Sequence, residues 1–206
     1  MNKKNKLSIT HCIIAKNEEK SIINCLNSTK NLISEVVIIE DDNSRDNTVK
    51  LVREFCYNNN LPLIHEIYKF NNFGEQRNRA IKLATKKWIL VIDPDEEFEC
   101  SYEVIKDRIE NYPDVMVWGQ PRKCWMDLAK TIEDPQTVGL DDFQHRLFRN
   151  RDDIRYVNKV HEYLTYPPKK VYGWMINHFQ FVYRTHAELH NKQMLYQTLL
   201  DIEGKT

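Results

Sequence analysis

Residues Trp88-Ile89-Leu90-Val91-Ile92 form an unbroken apolar run that stops at Asp93-Pro94-Asp95-Glu96-Glu97. A segment that is apolar at every position has no wet face, so it reads as a strand covered on both sides. Strands of that kind belong to parallel sheets sandwiched between helices. The stop constrains the chain as much as the run does. Four carboxylates at the end of a buried strand repel one another unless the place is wet or a cation is present. In open α/β sheets, that edge is also where ligands bind.

The front half repeats this theme. Leu7 to Ala15 reads as a strand ending at Lys16-Asn17-Glu18-Glu19, and a helix follows with Ile22, Ile23, Cys25 and Leu26 on one face. Glu35 to Glu40 reads as a second strand, broken by the polar run Asp41 to Thr48 before a helix through Val49, Val52 and Cys56. Leu63 to Tyr68 is expected as a third strand and Glu75 to Thr85 as a helix leading into the central run. Repeated strand–helix alternation predicts an α/β fold with a mostly parallel central sheet flanked by helices.

After Phe98 the pattern changes. Tyr102 to Ile109 suggests a short helix, Val115 to Met126 a long extended piece, and Asp127 to Asp142 a mobile loop over the cleft. Phe143 to Phe148, Ile154 to Val157 and Val160 to Leu164 are strand-like, and Tyr183 to Glu203 is polar and helical. No repeat or linker interrupts the chain. The expectation is a single Rossmann-like domain over residues 1–206. Residues 1–98 form its nucleotide-binding half and residues 99–206 its acceptor-binding half, with a smaller mixed β region and a C-terminal helix.

Thirty basic and thirty acidic side chains give a formal net charge of zero. That removes any bulk electrostatic case for nucleic acid or an anionic membrane as partner. The basic start Met1 to Lys6 is not followed by a signal-peptide apolar region, and no apolar run approaches membrane-spanning length. A soluble, cytoplasmic protein is expected. Cys12, Cys25, Cys56, Cys100 and Cys124 show no Cys-x-x-Cys spacing, so neither a zinc site nor a disulfide framework is expected.

Asp93 and Asp95 lie two apart on an extended segment and are expected to point the same way. One can take a hard cation, Mg²⁺ or Mn²⁺, and the other a ribose hydroxyl. The plain alternative is a solvated acidic turn. Asp41 and Asp42 end the second strand on the same edge, where a carboxylate can accept from a base N–H. They can equally serve as turn residues before a helix that Asp46 caps. Lys16, Asn17 and Glu18 end the first strand, again with helix capping as the alternative. Gly74-Glu75-Gln76-Arg77-Asn78-Arg79 opens a helix whose Arg77 or Arg79 offers a planar fork to a base or diphosphate. No Gly-x-Gly-x-x-Gly is present, which counts against a backbone phosphate cradle and makes a metal the natural partner of a diphosphate.

In the back half, Glu162 could deprotonate an acceptor hydroxyl, or be a surface residue beside a packed His161. His178 could be a further metal ligand, or a satisfied core histidine. His186 and His190 read as a solvated helix face. Trp118, Trp125, Tyr163, Tyr166, Tyr172 and Trp174 suit the apolar faces of sugars or a plain β core.

Four segments together carry a resemblance: Ile13 to Glu19, Val36 to Thr48, Phe73 to Ala80 and Trp88 to Glu96. In that order and spacing the chain resembles the family 2 glycosyltransferases, of the glycosyltransferase A fold. Arg146-Leu147-Phe148-Arg149-Asn150 and Val160-His161-Glu162 look like the small bacterial and viral members related to lipopolysaccharide core transferases. The resemblance implies a nucleoside pocket lined by Ala15, Asn17 and Glu18, with Asp41 on the base and Arg77 near base or diphosphate. It implies Asp93 at the ribose or metal and Asp95 on a divalent metal, Mn²⁺ or Mg²⁺. The donor would be a nucleoside-diphosphate sugar, most often a UDP-sugar. The acceptor would be a glycan, a lipid-linked molecule or a protein. Reaction with inversion needs a base. Many members place it in a Glu-Asp pair, but Glu133-Asp134 lies early, in the loop, and Glu162 is the expected base. Two rivals stand beside this reading: a nucleotidyltransferase of similar architecture, which normally shows a glycine-rich loop absent here, and a non-catalytic sugar- or nucleotide-sugar-binding module.

Overall fold

The computed structural model describes residues 6–139 and 142–203. Its front half alternates as the pattern demands: β1 (Ile9–Ala15), α1 (Ile22–Thr29), β2 (Glu35–Asp41), α2 (Thr48–Asn58), β3 (Leu63–Tyr68), α3 (Phe73–Leu83) and β4 (Trp88–Val91). β3, β2, β1 and β4 lie side by side and all parallel. Side chains of alternate parity leave the sheet on opposite faces. Ile13, Val36, Ile38, Trp88 and Leu90 pack with α1 and α2, whereas Cys12, Val37, Ile39, Ile89 and Val91 pack with Ala80 and Ile81 of α3. Both faces of the sheet are therefore dry at its centre, which is why β4 is apolar at every position and the middles of β1 and β2 nearly so, while β3 at the edge is only partly buried.

The back half adds β5 (Glu96–Glu99), α4 (Tyr102–Asn111), β6 (Val117–Cys124), β7 (Phe143–Arg149), β8 (Tyr156–Val157), β9 (Tyr163–Leu164), β10 (Lys169–Lys170), β11 (Met175–His178), α5 (Gln180–Tyr183) and α6 (His186–Glu203). β7 joins β4 antiparallel, and the sheet continues through β6 and β11 to β5, with β10 paired to β6. β8 and β9 form a separate hairpin. The result is an α/β architecture with a parallel half and a mixed extension. Among the described residues, no helix is long and apolar enough to cross a membrane.

Several expectations shift in detail. Trp118 and Trp174 are core residues in edge contact with each other, not sugar platforms. The predicted C-terminal helix divides into α5 and α6, with Arg184 and Thr185 between them. Residues 126–139 carry turns, tied by Asp127 accepting from the amides of Thr131 (3.0 Å) and Ile132 (2.8 Å). Leu140 and Asp141 of the expected loop lie outside the described residues.

Candidate active site

The carboxyl ends of β1, β2 and β4 open into a cleft of about 540 Å³. Ala15, Asn17, Glu18, Asp41, Arg77, Asp93, Asp95 and Glu162 all line it, so the residues expected from scattered sequence segments meet in one place. His178 lines a second cavity of about 690 Å³. Arg77, Asp93, Glu162, Lys192 and Tyr196 line both cavities and form the wall between them.

That wall is built from charge. Arg77 grips Asp93 with two parallel bonds, Nη1 to Oδ1 at 2.7 Å and Nη2 to Oδ2 at 3.0 Å. Its Nε donates to Glu162 Oε1 at 2.5 Å. Arg146 adds a bond from Nη2 to Asp93 Oδ2 at 3.0 Å and another to Glu96 Oε1 at 2.8 Å. Burial alone would raise the Asp93 pKa, but the guanidiniums of Arg146 and Arg77 outweigh it and hold the carboxyl well below its usual range. Arg77 is thus a buried buttress with all its reach committed, rather than a free fork. Arg79 lies elsewhere, donating to Glu66 from Nε at 2.7 Å and stacked on Tyr68, so it takes no part in the cleft.

The acidic run divides at the turn after β4. Asp93 and Asp95 face the cleft, but Glu96 turns inward, 1% exposed, where Arg146 and the Asp93 amide (3.0 Å) bond it. Glu97 instead pairs with Lys130 at 3.5 Å. Asp95 Oδ2 meets Arg184 Nη2 at 2.8 Å and His178 Nε2 at 3.6 Å. The same Arg184 nitrogen donates to Glu18 Oε1 at 2.7 Å. Burial lowers the pKa of His178, yet the neighbouring Asp95 carboxylate more than reverses this and carries it up to about 9. Burial pushes Glu18 up, with Arg184 opposing.

These contacts test whether the site suits a divalent ion. Among the described residues, no three His, Cys, Asp or Glu side chains converge as a self-sufficient ligand set. Two do converge, the Asp95 oxygen and the His178 nitrogen. A carboxylate with an imidazole suits Mn²⁺ or Mg²⁺ when waters and phosphate oxygens complete the shell. Asp95 is meanwhile neutralised by the Arg184 guanidinium and by the protonated His178. An imidazolium has no lone pair to give, so this pair could hold a cation only once His178 sheds its proton and Arg184 lets go of Asp95, and then only jointly with an anionic ligand.

Local geometry explains how Glu162 reaches Arg77. Gly74 sits against the Asn158 backbone, where a Cβ would overlap the carbonyl oxygen, and the Phe73 amide donates to Lys159 O at 3.0 Å. The 158–162 segment is thereby laid along the start of α3. Asn158 (φ 72°) and His161 (φ 51°) adopt the left-handed region to make that path. Asn17 does likewise at the end of β1 (φ 56°), and its Oδ1 accepts from the Arg45 amide at 2.7 Å, joining the loops after β1 and β2. At the open end, Lys16 lies 3.4 Å from Asp41.

Sequence reading gave Arg146 no role and missed Arg184, Lys192 and Tyr196. Tyr196 seats α6 over the cleft by edge contacts with Phe73 (5.2 Å) and His161 (5.8 Å). Of the aromatics singled out for sugar contact, Tyr163 lines the larger of these two cavities and the other five line neither. His186 and His190 are exposed, as a solvated face requires.

Comparison with known proteins agrees with this architecture. The family model "Glycosyl transferase family 2" matches residues 10–170. The glycosyltransferase SunS of Bacillus phage SPbeta is 30% identical, over 75% of this chain and 34% of SunS. A TPR repeat-containing protein of Synechococcus elongatus is 27% identical, over 75% of this chain and 34% of its own length. The chain thus spans about a third of the length of these curated relatives. Among solved structures, S. aureus TarS 1-349 in complex with UDP superposes with a TM-score of 0.51 at 22% identity, covering 74% of this chain and 52% of that one. That likeness speaks to the fold. On the strength of the family match, which extends over most of its length, the chain belongs to glycosyl transferase family 2.

Proposed function

We propose that this chain transfers a sugar from a nucleoside-diphosphate donor, a UDP-sugar first among them, to an acceptor hydroxyl, with inversion at the anomeric carbon and with help from a divalent cation. The carrying observation is the shared wall. One cavity has the acidic strand ends expected of a donor site, the other is large enough for part of an acceptor, and Asp93 and Glu162 belong to both. A hydroxyl in one cavity and an anomeric carbon in the other would meet across Glu162.

Charge balance supports the need for a cation. The donor cleft is lined by Lys16, Arg77, Arg184 and Lys192 against Glu18, Asp41, Asp93, Asp95, Glu162 and Glu188. A diphosphate entering an already acidic cleft is repelled unless positive charge comes with it. Bound beside Asp95 and His178, Mn²⁺ or Mg²⁺ would supply that charge to the departing nucleoside diphosphate. Arg184 would then have to release Asp95, and His178 to lose its proton, before the two could hold the ion. Arg77 orients Glu162 through Nε, so the carboxylate is held where it can take the acceptor's proton. Tyr196 and Lys192 of α6 roof the junction and limit water, which would otherwise hydrolyse the donor.

In this reading residues 1–98 supply the strand ends of the donor cleft, which Glu162, Arg184 and α6 close from the other side, residues 99–206 supply most of the acceptor cavity, and the acceptor is a glycan, a lipid-linked molecule or a protein. The test is transfer from nucleotide sugars to an acceptor panel, with the product anomer read by NMR. Glu162→Gln should cut turnover by about 10²–10⁴-fold while keeping donor binding. Equal turnover in the variant removes Glu162 as base. Donor binding with neither transfer nor hydrolysis in the native protein makes it a binding module.

A further inference from the structure

A cation of the chain's own already stands on Asp95. Arg184 Nη2 lies 2.8 Å from Asp95 Oδ2 and 2.7 Å from Glu18 Oε1, so one nitrogen bridges the turns after β4 and β1. A guanidinium offers five N–H donors. Arg77 spends three nitrogens on its two carboxylates, whereas Arg184 makes both contacts through Nη2, and its Nε is buried with no partner among the described residues. An arginine kept to brace the fold would be expected to use its fork. The Arg184 side chain is 18% exposed and lines the donor cleft, so it can be reached and displaced from there.

The backbone that delivers Arg184 can also let it go. Arg184 is extended (φ −112°, ψ 141°) just after α5. Beyond it, the Thr185 amide donates to Glu188 Oε2 at 2.6 Å and the Glu188 amide donates to Thr185 Oγ1 at 3.3 Å. This reciprocal cap starts α6 without Arg184, so rotation at Arg184 unwinds neither helix. α6 itself is lightly seated: Leu199 is buried, but Met194, Leu195, Leu200 and Ile202 are exposed. An element with so little apolar burial is held by its polar contacts and yields early.

We propose that Arg184 is an autoinhibitory counter-ion, which closes the Asp95 position to a bare divalent cation. Two cations on one buried carboxylate oxygen repel each other, so the ion enters only as the guanidinium leaves. A diphosphate arriving with the ion gives the released fork a new anionic partner. A metal ion arriving alone gives it none. Cation and nucleotide then bind as one event, and the cleft stays shut to metal by itself. The proposal rests on the donor reading above and adds the control of that site.

Titration with Mn²⁺ alone, followed by electron paramagnetic resonance, tests it on the native protein, Arg184→Met and the double variant Arg184→Met/Asp95→Asn. Methionine keeps an unbranched stem and removes the charge. His178 faces the same Asp95 oxygen at 3.6 Å with or without Arg184, so the comparison isolates the guanidinium. Arg184→Met should bind Mn²⁺ about tenfold or more tighter than the native protein, the worth of the charge-assisted bond removed. Adding Asp95→Asn should cancel that gain. Equal or weaker Mn²⁺ binding in Arg184→Met, or a gain that survives Asp95→Asn, overturns the inference, while sugar-nucleotide binding by the native protein keeps the donor reading. A native protein that binds no sugar nucleotide with Mn²⁺ present overturns both. Should Arg184→Met fail to fold, Arg184→Gln, which keeps a hydrogen-bonding end without the charge, takes its place with the same expected gain.

Discussion

Arg77 shows most clearly how the site is held. One guanidinium spends three nitrogens on two carboxylates, Asp93 and Glu162, which lie 16 and 85 residues away in the chain. Lysine brings one point of charge where arginine brings a fork. Arg77→Lys should therefore cost about 3 kcal/mol in urea unfolding and loosen Glu162, since breaking one side of a buried pair strands the other. A variant as stable as the native protein would show that the wall is not under charge control. At this scale the sequence was half legible. Asp93, Asp95, Asp41 and Arg77 announce themselves because each closes or opens an element at the same sheet edge. Arg146 stood out only within a family-like segment and without a role, and Arg184 not at all, because their partners lie 53 and 89 residues away.

Two elements aim the site. The first is the contact between α3 and the 158–162 segment. Gly74→Ala would drive a methyl group into the Asn158 carbonyl and push Glu162 off Arg77. The expected result is a fall in turnover of about 10²-fold, with donor affinity much less changed, since displacement by about 1 Å is enough for that loss. Unaltered turnover would separate Glu162 from the chemistry. The second is β1, whose His11 is buried within the core and bonds the Ile92 carbonyl through Nε2 (3.3 Å), while Nδ1 pairs with the Thr29 hydroxyl (3.1 Å). Burial drives its pKa down from 6.5 to about 4. The folded state thus resists a proton that the unfolded chain accepts. Its contribution is whole above pH 6.5 and is lost as pH falls toward 4, in all about 3 kcal/mol. Urea unfolding at several pH values, native against His11→Leu, should show the native curve falling more steeply over that window. Parallel curves would mean that His11 is not held neutral. Element positions were readable because strand and helix periods differ. The break between α5 and α6 was not, because the polar composition of Tyr183 to Glu203 shows no boundary.

For the molecule as a whole, the sheet does two jobs with one topology. Its parallel half brings acidic strand ends to the donor cleft, and its mixed half, entered through β7, carries Arg146 and His178 back to the same edge. The strand order was not legible from composition, since β6, β7 and β11 pair over long separations. The central claim is that this edge binds a sugar nucleotide together with a divalent cation. Thermal unfolding with a panel of nucleoside-diphosphate sugars, with and without Mn²⁺, on the native protein and Asp95→Asn, tests it most directly. A ligand at about a hundred times its Kd adds roughly 2.7 kcal/mol, a shift of several degrees. The account predicts that shift for at least one sugar nucleotide, only with the cation present, and not in Asp95→Asn. No shift with any sugar nucleotide, or an equal shift in chelator and in Asp95→Asn, would contradict it.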